Sequence, residues 1–216
     1  MSSSRKMLFQ NKDSGISFFT EFGTENSTFQ DALSVRADDH SLDGATADPA
    51  SQETEFDRYS QHYVLYHGMK PVGTASVTRV QDGLIDCQEY YPQRLLAQLG
   101  HLTDSASHLR IRGSEGRSYR TFRRVIREIW KDRLASGTRL NIINVTTERL
   151  RGYRAMGYHR LPVPVFIHPR LKTESHTVVL ATDPTLRSFI QDFVQKIDQP
   201  LPLQSVLDLI GQPALT

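Results

Sequence analysis

A single cysteine, Cys87, stands among the 216 residues. It has no partner for an internal disulfide, so oxidation does not hold this fold together. No apolar run approaches the ~18 residues that a membrane-spanning helix needs. The opening Met1-Ser2-Ser3-Ser4-Arg5-Lys6 lacks the apolar stretch of a secretory signal, and the expected location is the cytoplasm. The eight histidines are scattered, with no His-x-x-x-His and no Cys-x-x-Cys spacing, so no metal site is expected. Ser114, Ser118 and Cys87 lack the flanking residues of a nucleophile elbow. A large charge excess is missing too. The net charge is +2, which weighs against a dedicated nucleic-acid binder.

What is present fits a soluble globular domain with an extension. Apolar residues make up 38% and charged residues 23%, enough to bury a core without staples. The charges are unevenly placed. Asp38, Asp39, Asp43, Asp48, Glu53, Glu55 and Asp57 crowd one stretch, while Arg110, Arg112, Arg117, Arg120, Arg123, Arg124, Arg127, Lys131 and Arg133 crowd another.

The local patterns predict an α+β arrangement. Residues 1–15 read as a flexible N-terminus. A helix is expected from Thr28 to Leu42, with Asn26 or Ser27 as its N-cap. Residues 37–54, rich in Ala, Asp, Ser and Thr, read as a loop. His62–Tyr66 and Val72–Val80 flank turn chemistry at 67–71 and form a hairpin. A third strand is expected within Leu84–Tyr91, a short helix over 92–99 and a fourth strand over His108–Arg112. The strongest helix spans 116–136, where Phe122, Val125, Ile126 and Ile129 form an apolar stripe that Gly137 ends. Residues 140–145 form a strand neighbouring 106–112. A short helix follows and ends near Met156-Gly157. Tyr158–Ile167 and His176–Ala181 read as a closing strand pair, and 183–197 and 203–211 as two helices.

At Tyr153-Arg154-Ala155-Met156-Gly157-Tyr158 the pattern becomes more specific. This aromatic-x-x-x-Gly-aromatic run resembles a signature near the end of GNAT acyltransferases. Three further features lie in the order that family has them. Val72-Gly73-Thr74-Ala75 follows a hairpin turn. Arg110-Ile111-Arg112-Gly113-Ser114-Glu115-Gly116 joins a strand to the long helix, where the family has its pyrophosphate loop. Val145 ends a strand just before the Tyr153 helix. Phe29-x(6)-Arg36, Glu53-Thr54-Glu55-Phe56-Asp57-x-x-Ser60-x-His62, Ala106-Ser107-His108-Leu109-Arg110-Ile111 and His168-Pro169-Arg170-Leu171 are similar to the N-acyl amino acid synthases and the related acyl-homoserine-lactone synthases. The likeness covers about residues 28–182. Glu115 stands where the loop normally has a small residue, and Ser76 stands where the lactone synthases have arginine.

The resemblance implies a mixed, mostly antiparallel GNAT-like sheet flanked by helices over 16–182, with a helical extension over 183–216. It implies N-acyl transfer from an acyl carrier protein or CoA thioester to the amine of an amino acid or similar small acceptor, with no permanently bound cofactor. Tyr153 takes the role of general acid, with Glu89, His108 and His62 as candidates for the base. Backbone near His108–Arg112 would stabilise the oxyanion. Arg110, Ile111, Arg112, Gly113, Gly116, Arg117 and Ser118 would hold the donor's phosphate at the helix N-terminus. Arg120, Arg123, Arg124 and Arg127 face away from the apolar stripe and would dock an acidic carrier protein. The loop's departure at Glu115 keeps a second reading open, a non-catalytic acyl- or partner-binding module.

Overall fold

The computed structural model describes residues 4–37, 49–112 and 119–211. The chain divides into two compact units that it visits alternately. One holds the residues through Thr78 together with Ala106–Asp132; the other holds Arg79–Ser105 and the residues from Arg133 onward. The fold is mixed α/β, with mostly antiparallel strands and flanking helices.

The first unit opens with two strands ahead of the first helix, β1 (Lys6–Asn11) and β2 (Ile16–Phe22), where the sequence suggested a flexible start. They pair antiparallel, and β2 pairs antiparallel with β3 (Ser60–His67) over seven residues from Ile16↔His67 to Phe22↔Gln61. The expected hairpin is β3 with β4 (Lys70–Arg79). Alternate residues of these strands point to one face, and Phe18, Tyr63, Leu65, Ala75 and Val77 make its core. Helix α1 (Ser27–Ala37) is capped as expected: the Phe29 N–H donates to Asn26 Oδ1 at 2.8 Å. Its Ala32 is buried with Val64 and Tyr66 in a smaller cluster. The last six residues of β5 (Thr103–Ile111) lie beside β4, where the Arg112 N–H donates to Val72 O at 2.7 Å. Val125 and Ile129 of the long helix, α3 (Tyr119–Ala135), complete this core, as its apolar stripe predicts.

The second unit holds α2 (Gln93–Leu99), the start of β5, β6 (Leu140–Thr146), α4 (Thr147–Ala155), β7 (His159–Arg160), β8 (Phe166–Ile167), β9 (Glu174–Ala181), α5 (Gln191–Val194) and α6 (Leu203–Gly211). β5 and β6 are neighbours, as expected. Their parallel register runs from Thr103↔Leu140 to Ser105↔Ile142, just ahead of the stretch the sequence pointed to. β6 then pairs antiparallel with β9 along its whole length. Leu95, Leu140, Ile142, Leu161, Val179 and Val206 centre the core.

Three sequence expectations fail here. No strand forms within 84–91; a 3-10 turn at Gln88–Tyr90 stands there, because Cys87 takes a left-handed φ of 59° and ends any extended run. The closing strand breaks into the two-residue pieces β7 and β8, with Pro162 and Pro164 between them unable to donate to a ladder. The helix expected over 183–197 shrinks to α5. Asp183 there turns its carboxylate back onto the chain, accepting from the Thr185 N–H at 2.8 Å and the Leu203 N–H at 2.9 Å, which fixes a turn instead.

Candidate functional site

In the first unit the residues of interest lie along β5. His108 sits inside that strand with φ +54°, a left-handed conformation that costs an ordinary residue and departs from regular extended backbone. Its Nδ1 lies 3.2 Å from Ser107 Oγ. The break is braced by a close approach. A Cβ on Gly73 of β4 would meet Arg110 O at 3.1 Å and Ile111 Cγ1 at 3.3 Å. The flanking guanidiniums bind backbone rather than standing open: Arg110 donates to Arg36 O at 3.3 Å and Arg112 to Ser34 O at 3.4 Å. Both carbonyls belong to the last turn of α1, where cations are favoured. Gly113, Gly116, Arg117 and Ser118, expected to hold a phosphate, lie outside the described residues.

Beneath β3 and β4 lies a buried charged network that the sequence did not foretell. Arg36 and Asp57 are each 1% exposed and form a two-pronged pair at 2.8 and 2.9 Å. Arg36 also donates to Ser76 Oγ at 2.7 Å. Ser76 in turn lies 3.0 Å from His62 Nδ1, and His62 Nε2 lies 3.0 Å from Asp57 O. A carbonyl can only accept, so Nε2 carries the proton. Ser76 already accepts from Arg36, so its hydroxyl donates to Nδ1. Burial drives the His62 pKa down from 6.5 to about 4, against the pull of Asp57. Both ring nitrogens are committed and the group is neutral, so His62 is a core histidine and not a base. Burial alone would raise the Asp57 pKa, but Arg36 and the Thr54 N–H outweigh it and hold the carboxyl low. Ser76 occupies the position where the resemblance led one to look for an arginine, and here Arg36 reaches that spot from α1.

On α3, Arg120, Arg123 and Arg124 are exposed. With Arg127 and Glu128 they line an open cleft of about 350 Å³. Arg124 stacks over the Phe9 ring at 4.1 Å. These four arginines share one surface of α3.

In the second unit Tyr153 lies on α4, its ring edge-on to Tyr158 at 5.3 Å. Burial raises its pKa, only partly offset by Arg149, so the phenol stays protonated. Glu89 is exposed on the 3-10 turn. Tyr158 anchors the region: its hydroxyl donates to Asn141 Oδ1 at 2.9 Å, and Asn141 donates to Asp104 O at 2.9 Å. Asp104 is clamped by Arg79 and Arg133 at 2.9 and 2.7 Å.

The same unit brings together Asp86, Cys87 and His168, whose potential ligand atoms all lie within 4.8 Å of one another. Residues 81 positions apart in sequence cannot be paired by a spacing rule, so nothing local in the chain marks Cys87 and His168 as neighbours. Its hydrogen bonds show what it does. His168 Nδ1 accepts from the Arg170 and Leu171 N–H groups at 3.2 and 3.3 Å. That places the ring proton on Nε2, which faces Asp86 at 3.6 Å and Cys87 at 3.5 Å. A protonated Nε2 offers no lone pair to a metal and takes no proton from a thiol. Burial and the Asp86 charge push the Cys87 thiol up to about 12, so it is no thiolate. Burial would raise Asp86, yet His168 and Arg170 bring it to about 2. The group is a clasp that ties the turn at 86–87 to the chain at 168–171.

No family model matches the sequence, and no curated protein does. Solved structures do. FeeM, an N-acyl amino acid synthase from uncultured soil microbes, superposes with a TM-score of 0.57 at 12% identity, covering 88% of this chain and 99% of FeeM. BjaI, a CoA-dependent acyl-homoserine lactone synthase solved with SAM and isopentyl-CoA, gives 0.56 at 12%, covering 88% and 96%. An N-acetyltransferase from Lactobacillus plantarum gives 0.54 at 11%, covering 77% and 98%. The chain has the GNAT-like fold these proteins share, and at such identities the likeness is one of fold. No helix among the described residues is long and apolar enough to cross a membrane.

Proposed function

We propose that the protein is an N-acyltransferase. It takes a fatty acyl group from an acyl carrier protein or CoA thioester and places it on the amine of an amino acid or similar small acceptor. The observation that carries this reading is the left-handed break at His108 inside β5, in a fold shared over most of the chain with a synthase of that kind. At such a break, a backbone N–H aimed at the acyl oxygen would stabilise the developing oxyanion. The acceptor nitrogen forms a bond to the acyl carbon, the carbon–sulfur bond breaks, and the ammonium proton leaves to a base. Glu89 and His108 are the proposed bases.

Tyr153 is the proposed donor to the departing sulfur. Its raised pKa refines that role. A thiol titrates near 8.5 and tyrosine near 10, so full proton transfer from a still weaker acid runs uphill. The phenol then acts by hydrogen bonding to the thiolate, and Tyr153→Phe lowers kcat by about tenfold rather than the ~10²–10⁴ of full general acid catalysis. The basic face at Arg120, Arg123, Arg124 and Arg127 is the proposed docking surface for an acidic carrier protein. Mass spectrometry of lipids from expressing cells tests the proposal. N-acyl amino acids above the empty-vector level support it, and their absence from well-expressing cells contradicts it.

A further inference from the structure

The second unit carries a cleft that the acyl-transfer reading leaves unused. It measures about 450 Å³ and is lined by Arg154, Gly157, Tyr158, His159, Arg160 and Arg187. Its construction starts at Gly157, where α4 ends. The φ of +98° there suits glycine, and the neighbouring chain leaves no room for anything larger: a Cβ would lie 2.6 Å from Ser188 Cβ and 2.9 Å from Arg187 O. The Phe189 N–H donates to Met156 O at 3.2 Å and ties the same segments. This contact sets Arg187 beside Arg154. Two residues on, β7 brings His159 and Arg160 to the same opening, held by the pairs His159↔Val179 and Arg160↔Val178.

Three guanidiniums thus line one cleft, and among the described residues none of the three side chains has a carboxylate partner. Arg154 has the negative end of α4 beside it, which offsets part of one charge. Asp183 feels the charge of His159, but its oxygens accept from Thr185 and Leu203. Like charges gathered with no counter-charge are unfavourable until an anion joins them. Guanidinium forks match phosphate oxygens two at a time, and a doubly charged phosphate answers three cations better than a single carboxylate does. The cleft falls within the ~300–1,000 Å³ range of small-molecule sites, so it holds more than a bare ion.

We propose that this cleft binds the phosphate group of a small phosphorylated molecule through Arg154, Arg160 and Arg187. The bland alternative is that Arg160 merely guards β7, the last strand in the sheet order, against edge pairing.

Amide NMR on the full chain separates the two, with pyrophosphate as probe and acetate as the singly charged comparison. Pyrophosphate should move the Gly157, His159 and Ser188 amides saturably, and acetate should bind at least tenfold more weakly. Replacing all three arginines with glutamine should weaken pyrophosphate at these amides ~1,000-fold, since hydrogen bonds to charged groups typically contribute ~10-fold or more each. The exposed Lys196→Gln, a charge change elsewhere in the unit, should alter it less than twofold. Should the triple variant fail to fold, Arg160→Gln alone serves, with an expected ~10-fold loss. Absence of saturable shifts, acetate binding as tightly as pyrophosphate, or arginine variants that bind like wild type would each overturn the proposal. Following named amides keeps any pyrophosphate bound at residues 113–118 out of the measurement.

Discussion

Arginine serves opposite ends in the two units. Arg36 in the first is buried against Asp57, Ser76 and a backbone carbonyl, with only its Nε lacking an acceptor among the described residues. Arg154, Arg160 and Arg187 in the second are exposed and gathered with no carboxylate partner among the described residues. A buried charge must bring its partners with it, because the cost of stripping its water is otherwise uncompensated. Exposed charges tolerate the lack of a partner because water serves in its place. The difference separates charge that fixes the fold from charge available to a ligand, and each side of it can be broken separately.

The largest effect should come from Arg36→Met. It leaves Asp57 buried without its counter-charge, held only by Thr54, a loss of about 3–5 kcal/mol in urea unfolding. Adding Asp57→Leu should recover most of it; a double variant as unstable as the single one would mean that Arg36 acts through packing. His62 comes next. Its folded pKa, about 4, lies below the ordinary 6.5, so between those values the unfolded chain binds a proton that the folded chain does not. Stability is full above pH 6.5 and declines as pH falls toward 4, by about 3 kcal/mol. Unfolding of His62→Gln across that window should lack this slope. Gly157→Ala adds strain from the positive φ and overlap with Ser188, at a cost of about 2 kcal/mol or more. Arg160→Gln should change stability by less than about 0.5 kcal/mol, as expected where a side chain is exposed and unpaired.

Much of the architecture was legible in the sequence because it rests on local patterns. The β3–β4 hairpin, α3 with its Val125 and Ile129 stripe, β6, and the Gly137 stop all follow from periodicity and turn residues. Failures came where tertiary contacts override local preference. Cys87 reads as part of a strand yet turns left-handed within the clasp to His168, and 183–190 has helical composition yet is fixed by Asp183 and by the approach to Gly157. Of the proposed site, Tyr153 and the arginines of α3 are marked by motif and spacing. The partners of Arg36 lie 21 and 40 positions away, beyond any local pattern, and the cleft joins residue 187 to 154–160 through a glycine contact that only the fold reveals.

The central claim is acyl transfer to an amine, and release of free thiol tests it most directly. Purified protein is mixed with acyl carrier protein or CoA carrying a long acyl chain, a panel of amino acids is added, and a thiol reagent records the thiolate set free. The account expects release that requires an amino acid, with kcat about tenfold lower in Tyr153→Phe at an unchanged melting temperature. No amine-dependent release with either donor, from protein whose melting is cooperative, would contradict it and leave the chain an acyl- or partner-binding module on a transferase fold.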